Sequence, residues 1–139
     1  MMAPIRTMTC MARIGKLAEI EQFVDGCAEQ SGLDATRMSG LQVAVEEAFV
    51  NICNYAYPNT TGRVSITAEA AGEDLVLEIS DHGIPFNVLL LPDPDTSQDI
   101  HEREVGGLGC YLIRKLTDKA SYRRKNGANI LTLVMHRSS

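Results

Sequence analysis

Three clusters of residues in this chain have types and spacings suited to chemistry. The first is Glu47, Asn51 and Asn54, within EEAFVNICNYAY (residues 46–57). Spacings of four and three stack side chains on one helix face, a turn apart, and the rest of the stretch is mostly small or apolar. That face meets either water or something polar held in a cleft. Mg²⁺ takes oxygen ligands, keeps several of its waters and is often shared between a few protein groups and substrate phosphates. The amide oxygen of Asn51 suits that habit. Glu47, one turn earlier, is placed to take a proton from a hydroxyl attacking a terminal phosphate.

The second cluster is SDHGIPFN (residues 80–87), which follows directly on a strand pattern. Asp81 ends a buried strand, where an unpartnered carboxylate is costly to desolvate; an exocyclic amine such as adenine's would satisfy it. Gly83 permits a sharp turn and a close approach of backbone, and Ile84 and Phe86 offer an apolar wall to a flat ring. The third is GGLGCYLIRKL (residues 106–116), where Gly106, Gly107 and Gly109 run into an amphipathic helix. Free amides at the positive end of a helix dipole favour anions. This stretch has neither the Lys-Ser/Thr of a P-loop nor the G-x-G-x-x-G of a dinucleotide fold. Each cluster taken singly also reads as something plainer: a solvated stripe, an ordinary turn, a hinge. Their order along one chain is what carries weight.

The elements that must position them follow from periodicity. Ile5 to Cys10 reads as a strand. Ile14, Leu17, Ile20, Phe23, Val24 and Cys27 recur at three and four, predicting a helix over about 12–30 that Gly32 ends. A second helix is predicted over about 35–56 and stopped by Tyr57-Pro58, because the residue before proline avoids the helical region. RVSITAEA and DLVLEISD alternate as two strands of a hairpin about Ala71-Gly72-Glu73. Residues 84–105 carry Asp93, Asp95, Asp99, Glu102 and Glu104 against Arg103 alone and show no period, which predicts a flexible, acidic lid. A third helix after Gly109 and strands over about 119–124 and 128–136 close the chain. The predicted architecture is α+β: one domain over 1–139, a two-layer sandwich with helices on one face of a mixed, mostly antiparallel sheet.

Bulk properties narrow the function. A chain of 139 residues suffices for one core and is short for two. A net charge of −5 argues against direct nucleic-acid binding, which rests on neutralising phosphates. The absence of a long apolar run and of a basic, apolar leader predicts no membrane span and a cytoplasmic location. Cys10, Cys27, Cys53 and Cys110 form no C-x-x-C pair and read as reduced fillers; His82, His101 and His136 share no metal-ligand spacing.

Glu47-x-x-x-Asn51, Asp81-x-Gly83 and Gly106-Gly107-x-Gly109 resemble the N-box, G1-box and G2-box of the GHKL ATPase superfamily, the Bergerat (histidine-kinase-like) ATP-binding fold. EEAFVNICNYAYP, SDHGIPFN and GGLGCYLIRKLTDKASY are similar, within it, to the small bacterial anti-sigma-factor serine/threonine kinases. The resemblance implies ATP and Mg²⁺ as cofactors, with Mg²⁺ on Asn51 and Glu47 as general base, since Glu47 and not Glu46 lies four residues before Asn51. It implies adenine recognition by Asp81 with Gly83 and Ile84 beside the ring, and phosphate contacts from Asn54, Gly106, Gly107, Leu108 and Gly109. It also implies a sigma factor and a STAS-domain anti-sigma antagonist as partners, and a homodimer formed through a sheet edge. The chain departs from the pattern in three places. Asn54 stands where sensor-kinase relatives often carry lysine. Tyr55 stands where many such kinases carry histidine. Gly127-Ala128-Asn129 stands where relatives often place an adenine-side threonine, so that contact is either lost or replaced. The alternative reading is a non-catalytic module that uses ATP to hold a conformation and capture a partner. A histidine-kinase fragment fits less well, because no phospho-acceptor helix pair precedes Ile14. Gyrase-like relatives need a second domain.

Overall fold

Alternation of apolar and polar residues builds the sheet. The computed structural model describes residues 5–90 and 109–137. Its strands are β1 (Arg6–Met11), β2 (Arg63–Ala71), β3 (Asp74–Asp81), β4 (Lys119–Lys125) and β5 (Ala128–His136), in the order β1-β2-β3-β5-β4. Every neighbouring pair is antiparallel, so the sheet is not mixed. On β3 the inward row is Leu75, Leu77, Ile79 and Asp81, and on β5 it is Met135, Leu133, Leu131 and Asn129, all buried. The outward face is polar, with hydroxyl pairs such as Thr9 with Ser65 at 3.0 Å across β1 and β2. A period of two thus delivers a polar pair, Asp81 opposite Asn129, to the end of two apolar rows. Asn126-Gly127, both at positive φ, make the tight β4–β5 turn that keeps this register.

Three helices cover the inward face: α1 (Leu17–Gln30, preceded by a 3-10 turn over Ile14–Lys16), α2 (Ala35–Asn51) and α3 (Gly109–Leu116). The Asp34 side chain caps α2 by accepting from the Arg37 amide at 2.8 Å. Helix α2 is the central one, and Leu41, Ala44, Val45, Ala48 and Phe49 are buried from its two middle turns. Phe49, Leu41, Ile20 and Ile113 join Ile66, Leu77 and Leu133 of the sheet in one core. Each such side chain contributes about 1.5–3 kcal/mol on burial, which anchors α2 against β3. No helix among the described residues is long and apolar enough to cross a membrane, and the four cysteines are free.

The predicted second helix does not run uniformly to residue 56. Its last five residues, Ile52–Ala56, form a π-turn. The Ala56 carbonyl, an orphan acceptor of that last turn, takes the Ile84 amide at 2.9 Å. Helix end and β3 exit loop are thereby tied together.

Candidate functional site

Of the predicted polar stripe, Glu47 is half-buried and Asn51 is fully buried (0 % exposed), so this line does not simply face solvent. The Asn51 amide nitrogen donates to the Glu47 carbonyl at 2.7 Å. Among the described residues the Asn51 Oδ1 and the Glu47 Oε2 are buried without a hydrogen-bond partner. Burial pushes the Glu47 carboxyl above the ordinary carboxylate range. Glu46 is raised too, first by burial and then by the Glu21 carboxyl that shares a hydrogen bond with it. Asn54 leaves the stripe: i→i+5 bonding opens the turn, and its side chain is exposed.

Asp81 is 3 % exposed and heads a cavity lined by Ala48, Ile52, Ile79, Phe86, Val88 and Leu131, with Tyr122 and Asn129. Ala48 and Ile52, which line this cavity, each follow in sequence one of Glu47 and Asn51, which do not line it themselves. The cavity measures about 20 Å³, room for roughly one water. A purine therefore needs its walls to part. Phe86 is the wall that also meets Tyr55, their ring centroids 5.3 Å apart.

Gly83 is needed for an approach between two parts of the chain: a Cβ there would overlap the Ala56 carbonyl. Ile84 is 52 % exposed and lines a different, open groove of about 770 Å³ with Tyr57, Arg63, His82 and Arg124. Of the predicted apolar wall, only Phe86 lines the Asp81 cavity. Arg124, on β4, donates to the Gly83 carbonyl at 2.8 Å. The Tyr57 hydroxyl donates to the Arg63 carbonyl at 2.8 Å and accepts the His82 amide at 2.9 Å. Gly109 begins α3, whereas Gly106, Gly107, Leu108 and most of the acidic lid lie outside the described residues. The two ends of that stretch meet at one carbonyl: Leu89 accepts from Cys110 Sγ and from Arg114 Nη2, each at 3.1 Å.

Asn129 is the residue that sequence reasoning left open. Its side chain joins Asp81 Oδ1, at 2.9 Å, and the Tyr122 hydroxyl, at 2.5 Å. The signal that finds it is the alternation of β5: counting inward from Met135, Leu133 and Leu131 reaches Asn129.

Comparison with known proteins adds the following. The model of the histidine kinase-like ATPase domain matches residues 10–135. A serine-protein kinase RsbW of Bacillus mycoides (strain KBAB4) is 27 % identical over 128 residues, covering 89 % of this chain and 80 % of that protein. The serine/threonine-protein kinase BtrW of Bordetella bronchiseptica is 28 % identical over 97 residues, 69 % of this chain and 68 % of that one. Among solved structures, the RsbU and RsbW domains of Rv1364c from Mycobacterium tuberculosis superpose with a TM-score of 0.68 at 16 % identity. That match covers 96 % of this chain and 32 % of the other. The histidine kinase domain of a blue-light activated kinase from Erythrobacter litoralis gives a TM-score of 0.53 at 16 % identity, over 90 % of this chain and 61 % of its own.

Proposed function

Because the chain belongs to the histidine kinase-like ATPase domain family, we propose that it is an ATP-dependent serine/threonine-protein kinase of the anti-sigma type. In this reading it transfers the γ-phosphate of ATP to a serine or threonine of a STAS-domain antagonist, sequesters a sigma factor, and works in the cytoplasm. Relatives named as serine and serine/threonine kinases support the reaction class. The single observation that carries it is the pair of buried, unpartnered oxygens on α2, Glu47 Oε2 and Asn51 Oδ1. An unpartnered buried acceptor costs about 1–3 kcal/mol, and a ligand that satisfies both offsets that cost.

The residues have separable tasks. Asp81 accepts from the adenine amine while Phe86, Ile52 and Ala48 bracket the ring. Gly83 and the backbone of Ile84 hold the turn beside it. Asn51 Oδ1 fits a hard cation, since Mg²⁺ favours few protein oxygens together with phosphates. Bound with the triphosphate, Mg²⁺ supplies neutralisation of phosphate charge. Glu47, its carboxyl raised by burial, takes the proton of the acceptor hydroxyl, a task favoured by a base whose pKa approaches the working pH. Gly106, Gly107, Leu108 and Gly109, with Asn54, are the residues that would contact the phosphates. A homodimer would use β1, whose edge carries Arg6 as its one charge, whereas β4 is guarded by Lys119, Arg123, Arg124 and Lys125.

The test is Glu47→Ala and Glu47→Gln with Mg-ATP and a STAS-domain partner. Transfer, read as phosphoserine or phosphothreonine, is expected to fall at least about 100-fold, with ATP binding by calorimetry kept within a few-fold. Undiminished transfer would remove Glu47 as base. A wild-type chain that binds ATP and partner but never transfers phosphate would leave the non-catalytic module as the better account.

A further inference from the structure

The hydrogen bonds of Asn129 use every part of its amide. Nδ2 donates to Asp81 Oδ1 at 2.9 Å and to the Ile84 carbonyl at 2.8 Å. Oδ1 accepts from the Phe86 amide at 3.1 Å and meets the Tyr122 hydroxyl at 2.5 Å. The side chain is 4 % exposed. Two of these partners fix which way the amide points. The Ile84 carbonyl only accepts and the Phe86 N–H only donates, so a flipped amide would set acceptor against acceptor and donor against donor. Nδ2 must therefore face Asp81. The Gly83 amide donates to the same Asp81 oxygen, Oδ1, at 2.9 Å.

The consequence lies in what remains of Asp81. Its Oδ1 is engaged twice, and an ionised carboxylate offers acceptors only. Held in that orientation, the carboxylate has Oδ2 left to present to a base in the cavity. We infer that Asn129 is a positioning residue that clamps Asp81 as a fixed acceptor, and that this clamp is what makes the pocket select a 6-amino purine over a 6-oxo purine. The inference rests on the nucleotide reading above and deepens it. A site built around a fixed, dry hydrogen-bonding group rejects a mismatched partner strongly, because the buried group is then left unpaired. The same amide holds residues 84 and 86, so the base-side loop and its carboxylate are set by one side chain of β5.

Calorimetry of the full chain with Mg-ATP and Mg-GTP reads this, because the ratio of affinities separates recognition of the base from general damage. Asn129→Ala frees the carboxylate to turn and lets water into the space vacated. ATP binding is expected to weaken about tenfold or more with GTP within about twofold, so the ratio collapses. Asn129→Asp is isosteric and keeps acceptors for Phe86 and Tyr122, but it sets a second carboxylate against Asp81. Two such groups in contact hold a proton between them, which lowers the negative charge that Oδ2 presents to a 6-amino group. The ratio is expected to fall furthest there. Tyr122→Phe removes one hydroxyl, leaves the ring packing and should lower the ratio by roughly threefold, which gives a reading even if the buried substitutions do not fold. An unchanged ratio in the variants that fold, or equal weakening of ATP and GTP, overturns the clamp. Wild-type chain that binds neither nucleotide overturns the nucleotide reading instead.

Discussion

The two ends of α2's polar neighbourhood keep opposite accounts. At the base end, Asp81 and Asn129 are buried and bonded: Asp81 Oδ1 takes two donors and the Asn129 amide makes four contacts. At the proposed phosphate end, Asn51 and Glu47 are at least half-buried, yet each holds a buried oxygen with no partner among the described residues. Both regions spend sequence on buried polar groups inside an otherwise apolar core. One end is finished by folding and the other is left open. The difference teaches which part of the site is preorganised for recognition and which part stores a cost that a ligand relieves.

The largest effect should come from the open end. Asn51→Ala removes the one amide oxygen suited to a cation, so the gain in ATP affinity that Mg²⁺ confers is expected to drop by about 10–100-fold. ATP measured in EDTA should change little. Calorimetry with and without Mg²⁺ checks it, and equal losses in both conditions would mean that Asn51 acts on packing alone.

A second comparison sets two buried asparagines against each other without any ligand. Asn129→Ala breaks four contacts and leaves Asp81 Oδ1, the Ile84 carbonyl and the Phe86 amide short of a partner, which should cost about 2–4 kcal/mol. Asn51→Ala loses one bond, to a Glu47 carbonyl that a helix already engages, and deletes an unsatisfied oxygen. Its cost should stay below about 1 kcal/mol. Urea unfolding of the two variants checks the gap. Equal costs would show that the ends are not differently prepared.

Much of this was readable beforehand, and the failures have physical reasons. Period-two alternation gave β2, β3 and β5, and with them the inward Asp81; a three-and-four pattern gave α1, α2 and α3. The π-turn at Ile52–Ala56 was not legible, because EEAFVNICNYAY has good helical periodicity and the widening appears only where Ala56 and Tyr57 meet residues 82–84 in space. Asn54, on that turn, is exposed where Asn51 is buried. Ile84 looked like a pocket wall, but a turn reverses sides within one residue, and Phe86 takes that role. Asn129 was within reach of the alternation rule, yet the expectation of a threonine drew attention to residue identity rather than to register. Tyr122 and Arg124 reach the base-side residues from β4 through its hairpin with β5, whose Asn126-Gly127 turn is a local signal.

The smallest effect belongs to protons, and it too separates the ends. Burial raises Glu47, and burial with the Glu21 carboxyl raises Glu46. A carboxyl whose folded pKa lies above its unfolded value of about 4.3 binds its proton more tightly in the folded state. Below the unfolded value both states are protonated and no penalty exists. As pH rises through the window up to the raised folded values, the folded state loses stability, and above that window the loss is complete. Replacing Glu46 and Glu47 together with glutamine should therefore stabilise the ligand-free chain by about 1 kcal/mol at pH 7, the low end for groups that are only half-buried. That corresponds to roughly 3–5 °C in Tm for a chain of this size, shrinking toward zero near pH 4. Thermal melts of wild type and the double variant across pH 4–8 measure it. A gap that did not change with pH would locate the cost of the open end in packing rather than in the ionised carboxylates, and would leave Asn51 Oδ1 as its main source.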